Sequence, residues 1–409
     1  MKRVLSVLSV LSLLIVLGCN SHYDVDITEE RNIIVRGNRI GVKATVDTTE
    51  TVLLFDTGAL GKLCLDDDIL KIIGIDTKQE LRYCYQLDSS DFTYIEGMPS
   101  GHNLVFPSIP SYMRNVVTSG NKIFGEYFNG TICPDYKNDR RIWEINMENG
   151  YIRIHENDTL PPNSVAFPMK CRNMQLIVDM PITVIKGTDT VNLDNLIVDY
   201  GCFVSLWIRR FTDSDNALAS FIDSVKHVER YSDIMSDRTA LADQIITTDG
   251  LKDINESDDN IFLLSTLETG SMITEIPDML LLGFGFLRHY NAMIDLKNMR
   301  LILWDYEYEK PSHISNYDAP VITNLGFTIF QNKVRMIFKD SPAENAGLHP
   351  GDSIVRINGQ MLSGYTAEGI DSLLLFTGHN EDISMDVIRN REDLMHIRYS
   401  TETNPLRVK

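Results

Sequence analysis

Two stretches of this sequence, 143 residues apart, run an apolar strand into the same Asp-x-Gly turn. The first passes from Thr51 through Leu53, Leu54 and Phe55 to Asp56, Thr57 and Gly58. The second passes from Leu193 through Leu196, Ile197 and Val198 to Asp199, Tyr200 and Gly201. A second landmark repeats in the same order: Trp143–Ile154 is echoed by Ala292–Leu303, each a hairpin turned on Glu148-Asn149-Gly150 or Lys297-Asn298-Met299. Two landmarks recurring at nearly one spacing predict duplicated lobes, because a tandem copy preserves both order and distance.

Between the landmarks, short β-branched and aromatic runs alternate with Gly, Asn and Asp, as at Ile33–Val35, Gly41–Val46 and Thr51–Phe55. That punctuation reads as strands in close succession. Helical periodicity is scarce; the best is Asn216–Tyr231, where Leu218, Phe221, Ile222, Val225 and Val228 fall on one face. Pro161-Pro162-Asn163 and Lys310-Pro311-Ser312 read as linkers. The 409 residues are 43% hydrophobic and 23% charged, enough apolar material for two or three cores.

The net charge of −19 argues against nucleic acid as a partner, since phosphates would repel it. No GxGxxG, GxxxxGK[ST] or HExxH occurs, so no cofactor is expected. His102, His155, His289 and His349 have no metal-ligand spacing and read as surface residues, so no metal is expected either. Cys64 and Cys202 read as small core residues, and Trp207 and Trp304, in strand-like runs, as core rather than binding platforms.

Lys2 and Arg3 precede an apolar stretch, Val4–Leu17, which is short for a spanning helix and suits a signal segment. It ends Val16-Leu17-Gly18-Cys19, which resembles a bacterial lipobox. The resemblance implies a signal peptide over 1–18, acylation of Cys19, an acidic tether over 19–31, and a chain anchored by lipid in the cell envelope. Five cysteines would remain, an odd number, so at least one is unpaired or pairs outside the chain.

Phe55-Asp56-Thr57-Gly58-Ala59 resembles the active-site loop of aspartic peptidases of the retropepsin-like and pepsin-like kind, here with two lobes in one chain. The resemblance spans about residues 32–308, with lobes at 32–160 and 161–308. It implies a mainly β fold: two duplicated closed β-barrel lobes forming a bilobal aspartic-peptidase fold. It assigns Asp56 and Asp199 as the catalytic pair, with Thr57, Gly58 and Gly201 supporting the loops. Carboxylates about 3 Å apart cannot both ionise, so such a pair holds one proton and can both take and give one. The reaction implied is endopeptidase hydrolysis of polypeptide substrates by an activated water.

Two departures stand out. Tyr200 replaces the small hydroxyl residue expected after Asp199, so half of the cross-lobe hydrogen-bond pair is expected to be lost. Lobe two keeps an apolar-apolar-Gly motif at Leu281-Leu282-Gly283, whereas lobe one has Thr131-Ile132-Cys133. Both departures favour an alternative, a catalytically degenerate peptide-binding lipoprotein whose lobes serve as scaffold. A substrate-covering flap is expected within residues 81–101, with Gly97 and Gly101 as hinges and Tyr83, Tyr85 or Tyr94 as its aromatics.

Residues 319–402, after a linker at 309–318, resemble a PDZ domain of α+β type. Leu325-Gly326-Phe327-Thr328 resembles its carboxylate-binding loop, which implies capture of polypeptide C-termini by the Gly326 and Phe327 N–H groups. Ile329 and Leu374 are further candidates for the pocket. Local signals agree: Ser341, Pro342 and Glu344 form a capping box, Gly347 ends a short helix, Asn358-Gly359 turns a hairpin, and Thr366 caps a helix over 367–376.

Overall fold

The computed structural model describes residues 31–36, 39–46, 49–59, 63–72, 84–87, 90–95, 104–105, 117–120, 128–134, 136, 139–172, 175–210, 216–231, 235–255, 263–269, 279–307, 325–330, 332–366, 369–370, 373, 382–390 and 392–401. The described residues are mainly strand, with a few short helices. Cys19, the signal segment and the tether up to residue 30 lie outside them.

Lobe one opens as a meander of Ile33–Arg36, Arg39–Val46 and Thr49–Phe55, paired antiparallel in turn. Alternation sends Ile40, Val42 and Ala44 inward, and Leu53 and Phe55 with them. The end of Thr49–Phe55 then pairs in parallel with Gly130–Ile132, which itself pairs antiparallel with Leu63–Leu65. Lobe two repeats this local arrangement. Leu196–Asp199 pairs in parallel with Met279–Gly283, and Met279–Gly283 pairs antiparallel with Leu206–Arg210. The duplication read from Asp-x-Gly is thus a duplicated three-strand unit.

The lobes differ upstream of it. In lobe one the strand that pairs with Arg39–Val46 leads straight into Asp56. In lobe two the hairpin Ile182–Lys186 and Asp189–Leu193 ends first, and Asn195 turns the chain at φ +51°. Leu196–Asp199 then pairs with Gln175–Val178 instead.

The repeated hairpins pair with each other beneath both lobes. Ile142–Asn146 pairs with its own partner Tyr151–His155 and with Tyr290–Asp295, putting Trp143 opposite Ile294. Arg300–Asp305 continues the sheet on to Val165–Arg172. Their turns match position for position: Gly150 adopts φ +76° and Met299, its counterpart, φ +51°. Glycine fits that region without strain and methionine does not. The two lobes share a single apolar cluster that runs through this sheet, including Trp143, Ile145, Ile294, Leu301 and Leu303. Among the described residues no sheet closes into a barrel, contrary to expectation. The physical reason is that each lobe sends a hairpin into the shared base sheet, where its edges are satisfied by the other lobe.

Helical reading of Asn216–Tyr231 holds only for its first half. Ala217–Ser224 is a helix capped by Asn216, whose side chain accepts from the Leu218 N–H. Val225 is already extended, and Val228–Tyr231 is a strand paired with Met235–Leu241. Two β-branched valines weaken the helix there, and long-range pairing decides the outcome.

That hairpin also carries the C-terminal domain. Phe327–Phe330, Lys333–Phe338, Ser353–Ile357, Gln360–Met361, Asp382–Arg389 and Asp393–Ser400 build a small sheet with its own core, centred on Phe327, Val334, Ile337, Ile354 and Val387. Arg230 and Tyr231 pair with Phe338 and Ile337 as an added strand, and the Lys339 N–H donates to the Glu229 carbonyl at 2.8 Å. Arg230 is buried beneath the Phe338 ring at 5.9 Å and forks onto Asp237 at 2.6 and 2.5 Å.

Candidate functional site

Asp56 and Asp199 end equivalent strands and meet face to face. Each carboxyl lies over the other loop's glycine: a β-carbon on Gly58 would sit 2.5 Å from Asp199 Cγ, and one on Gly201 2.3 Å from Asp56 Cγ. Only glycine permits that approach. Gly58 N–H donates to Asp56 Oδ1 at 3.0 Å, and Gly201 and Cys202 N–H donate to Asp199 Oδ1 at 2.9 and 3.2 Å. The two carboxyls also hydrogen-bond each other. Burial, then the charge of Asp199, then that hydrogen bond push the Asp56 carboxyl up to about 8, while the Gly58 N–H and the Arg39 charge pull the other way. At neutral pH the pair therefore keeps a proton, the state needed to donate and accept at once.

Thr57 grips across the lobes. Its hydroxyl donates to the Val198 carbonyl at 2.8 Å and accepts from the Tyr200 N–H at 3.0 Å. The expected loss of the reciprocal half is seen in the side chain of Tyr200. Its ring is fully buried against Phe55 and Phe284, at centroid distances of 5.4 and 6.3 Å, and its hydroxyl has no hydrogen-bond partner among the described residues.

Behind the loops, the glycine motif of lobe two is required sterically. A β-carbon on Gly283 would lie 2.1 Å from the Val204 carbonyl oxygen. Lobe one meets the same place with Cys133, whose Sγ lies 3.6 Å from the Ala59 carbonyl and 3.3 Å from Tyr136 Oη. Tyr136 in turn donates to the Thr57 carbonyl at 2.6 Å. Burial first, and the Cys133 thiol second, push that phenol well above its ordinary value, so it stays a donor. Where lobe two has a glycine without a side chain, Cys133 thus brings a thiol packed against Tyr136, which in turn holds the loop at Thr57.

Sequence reading missed Tyr136 and Arg39. Tyr136 follows Cys133 by the three residues that separate Phe286 from Gly283, a spacing that would have flagged it. Arg39 starts the strand Arg39–Val46 and reaches lobe two, where Nε donates to the Gly201 carbonyl at 3.0 Å. No local pattern marks it. The expected flap falls largely outside the described residues: Tyr83, Gly97 and Gly101 lie there, and Tyr85 and Tyr94 belong to a hairpin of Cys84–Leu87 with Ser90–Ile95. Among the described residues Cys171 is exposed and forms no disulfide.

In the C-terminal domain the expected carboxylate loop is a tight turn. Leu325 and Phe327 are buried, Thr328 and Ile329 half-buried, and Gly326 adopts φ +80°. A β-carbon on Gly326 would lie 2.8 Å from Ser341 Oγ. The turn is fastened from two sides: Tyr399 Oη donates to the Leu325 carbonyl, and Phe338 N–H and Ser341 Oγ donate to the Gly326 carbonyl. Phe327–Phe330 pairs along one edge with Lys333–Phe338. Ser341 caps Pro342–Asn345 through the Glu344 N–H, but Glu344 returns its carboxylate to the Asp340 N–H, one residue before the expected cap. Asn358 and Gly359 both take positive φ in their hairpin turn. Thr366 Oγ1 accepts from the Gly369 N–H, as a helix cap does; Leu374 lies outside the described residues.

No curated protein matches the chain. Residues 337–389, which include the strands Ser353–Ile357, Gln360–Met361 and Asp382–Arg389, match the family model of the PDZ domain.

Proposed function

We propose that this chain is an aspartic endopeptidase of two lobes, 32–160 and 161–308, joined to a PDZ module that binds polypeptide C-termini. The observation that carries the reading is the reciprocal seating of Asp56 and Asp199 over Gly201 and Gly58. A water between the carboxyls would attack the peptide carbonyl carbon and lose its proton to the ionised partner. The protonated partner would give its proton to the carbonyl oxygen. Collapse of the resulting diol, with a proton passed to the amide nitrogen, breaks the C–N bond without a covalent intermediate. Asp199 Oδ1 receives two backbone N–H groups against one for Asp56, so the resting charge sits better on Asp199 and the proton on Asp56.

The PDZ domain supports peptide or protein binding. In this reading a substrate or adaptor C-terminus adds as a strand beside Phe327–Phe330, its carboxylate at the Gly326 turn. Cys19 would hold the assembly to the cell envelope by lipid. Tyr200, which offers lobe one no hydroxyl, favours a second reading in which the lobes only bind peptide. Incubating the purified chain with a peptide library from about pH 3 to 8 decides between them. Cleavage that vanishes in Asp56→Asn and Asp199→Asn variants supports the first reading, and intact peptides that still bind support the second.

A further inference from the structure

We propose that Arg39 is a positioning residue, holding the Asp199 loop from lobe one and supplying the cross-lobe bond that Tyr200 cannot. This rests on the peptidase reading above. Four residues around Asp199 are touched from lobe one. Thr57 takes the Val198 carbonyl and the Tyr200 N–H. Arg39 takes the other two, donating from Nε to the Gly201 carbonyl at 3.0 Å and laying its guanidinium 5.3 Å from the Phe203 ring centroid. The Tyr200 side chain returns no bond of its own, its hydroxyl being buried without a partner among the described residues.

Geometry explains the residue type. A guanidinium can point one N–H along its plane at a carbonyl while stacking its face on an aromatic ring, which an ammonium cannot do. The bonded carbonyl belongs to Gly201, the residue on which the Asp56 carboxyl rests. Moving that glycine moves the floor under Asp56 and the N–H that Gly201 gives to Asp199. The position is electrostatic as well: the described charges that act most on Asp56 are those of Asp199 and Arg39, with Tyr136 beneath the loop. Arg39 is the cation of that set.

The test compares Arg39→Gln and Arg39→Lys with the full-length wild type, beside Asp56→Asn. For Arg39→Gln, kcat should fall by about ten- to a hundredfold with KM little changed, as for a misplaced catalytic group. The alkaline limb of its pH–rate profile should also move to higher pH, because the cation that favours ionised Asp56 is gone. Arg39→Lys should keep the limb in place and lose part of kcat. A purely structural role would lower the yield of folded enzyme and move no limb.

The second readout needs no activity. The Asp56 contribution to wild-type thermal stability should fall as pH rises from about 4 to 8, because the unfolded chain releases a proton that the folded carboxyl keeps. In Arg39→Gln that fall should extend to higher pH, and in Asp56→Asn it should disappear. Superimposable stability curves for wild type and Arg39→Gln would overturn the proposal. Loss of cleavage in neither aspartate variant would overturn the peptidase reading alone, leaving the stability curves to judge Arg39.

Discussion

The Cα of Gly201 lies so close to the Asp56 carboxyl that a methyl group there would be 2.3 Å from Cγ. Gly201→Ala must therefore displace the carboxyl or part the lobes. Overpacking of this kind costs about 1–3 kcal/mol, and a shift of about 1 Å at a reacting group costs about a hundredfold in rate. Gly58→Ala should behave alike, since its methyl would meet Asp199 at 2.5 Å. Melting curves and kcat on one peptide check both together. A Gly201→Ala enzyme with unchanged kcat would show that the carboxyls need not sit over the glycines.

The contribution of Asp56 to stability should be highest on the acid side, opposite to the usual effect of a carboxylate. The folded chain holds the Asp56 proton up to about 8, whereas the free side chain releases it near 3.8. Between those values the native state binds more protons than the unfolded one, so stability falls with rising pH. For one proton the slope is at most about 1.4 kcal/mol per pH unit. Denaturant titrations at several pH values should show this decline, and Asp56→Asn should flatten it and be the more stable protein at pH 7. Carboxylates such as Glu144 favour higher pH, so the difference between wild type and Asp56→Asn isolates the pair, and a difference that stays constant from pH 4 to 7 would contradict it.

What the sequence made legible was local or repeated. Asp56 and Asp199 could be paired because each closes a strand with Asp-x-Gly, and Trp143–Ile154 with Ala292–Leu303 because the copies survive. Ser341, Gly347 and the Asn358-Gly359 turn announced themselves through backbone chemistry that needs no distant partner. The rest depends on contacts between residues far apart in the chain. Arg39 meets Gly201 across 162 residues, and Tyr136 meets Thr57 across 79. Closed barrels were expected of each lobe alone, and the shared base sheet appears only when both are present. Val228 fitted a helical stripe until the strand Met235–Leu241 paired with it.

Tyr200→Phe should leave cleavage intact and raise stability. Its hydroxyl is buried without a partner among the described residues, and such a group costs about 1–3 kcal/mol. The ring keeps its contacts with Phe55 and Phe284, and Thr57 bonds the backbone N–H, which the substitution spares. Tyr200→Thr would restore a small hydroxyl but remove the ring, for which core truncations cost about 3–5 kcal/mol. Comparing unfolding midpoints and kcat of the two variants separates packing from hydrogen bonding. Loss of cleavage in the stable Tyr200→Phe protein would assign the phenol a chemical role instead.

Arg230 and Asp237 hold the PDZ domain on lobe two. Both side chains are 3% exposed, and the pair is bidentate. Removing one partner of a buried pair leaves an uncompensated charge and costs about 3–5 kcal/mol. Asp237→Asn should therefore loosen the hairpin from which Arg230 and Tyr231 pair with Phe338 and Ile337. The readout is hydrogen exchange at the Lys339 amide, which is bonded to the Glu229 carbonyl across the junction. It should speed up strongly in Asp237→Asn, while amides inside the PDZ sheet, such as those of Asp382–Arg389, stay protected. Glu229 and Lys339 also form an ion pair at 2.9 Å, but at the surface, where such pairs contribute about 0–1 kcal/mol. Glu229→Gln should then change the Lys339 exchange rate far less than Asp237→Asn does. Equal effects would mean that the exposed pair, not the buried fork under Phe338, carries the junction.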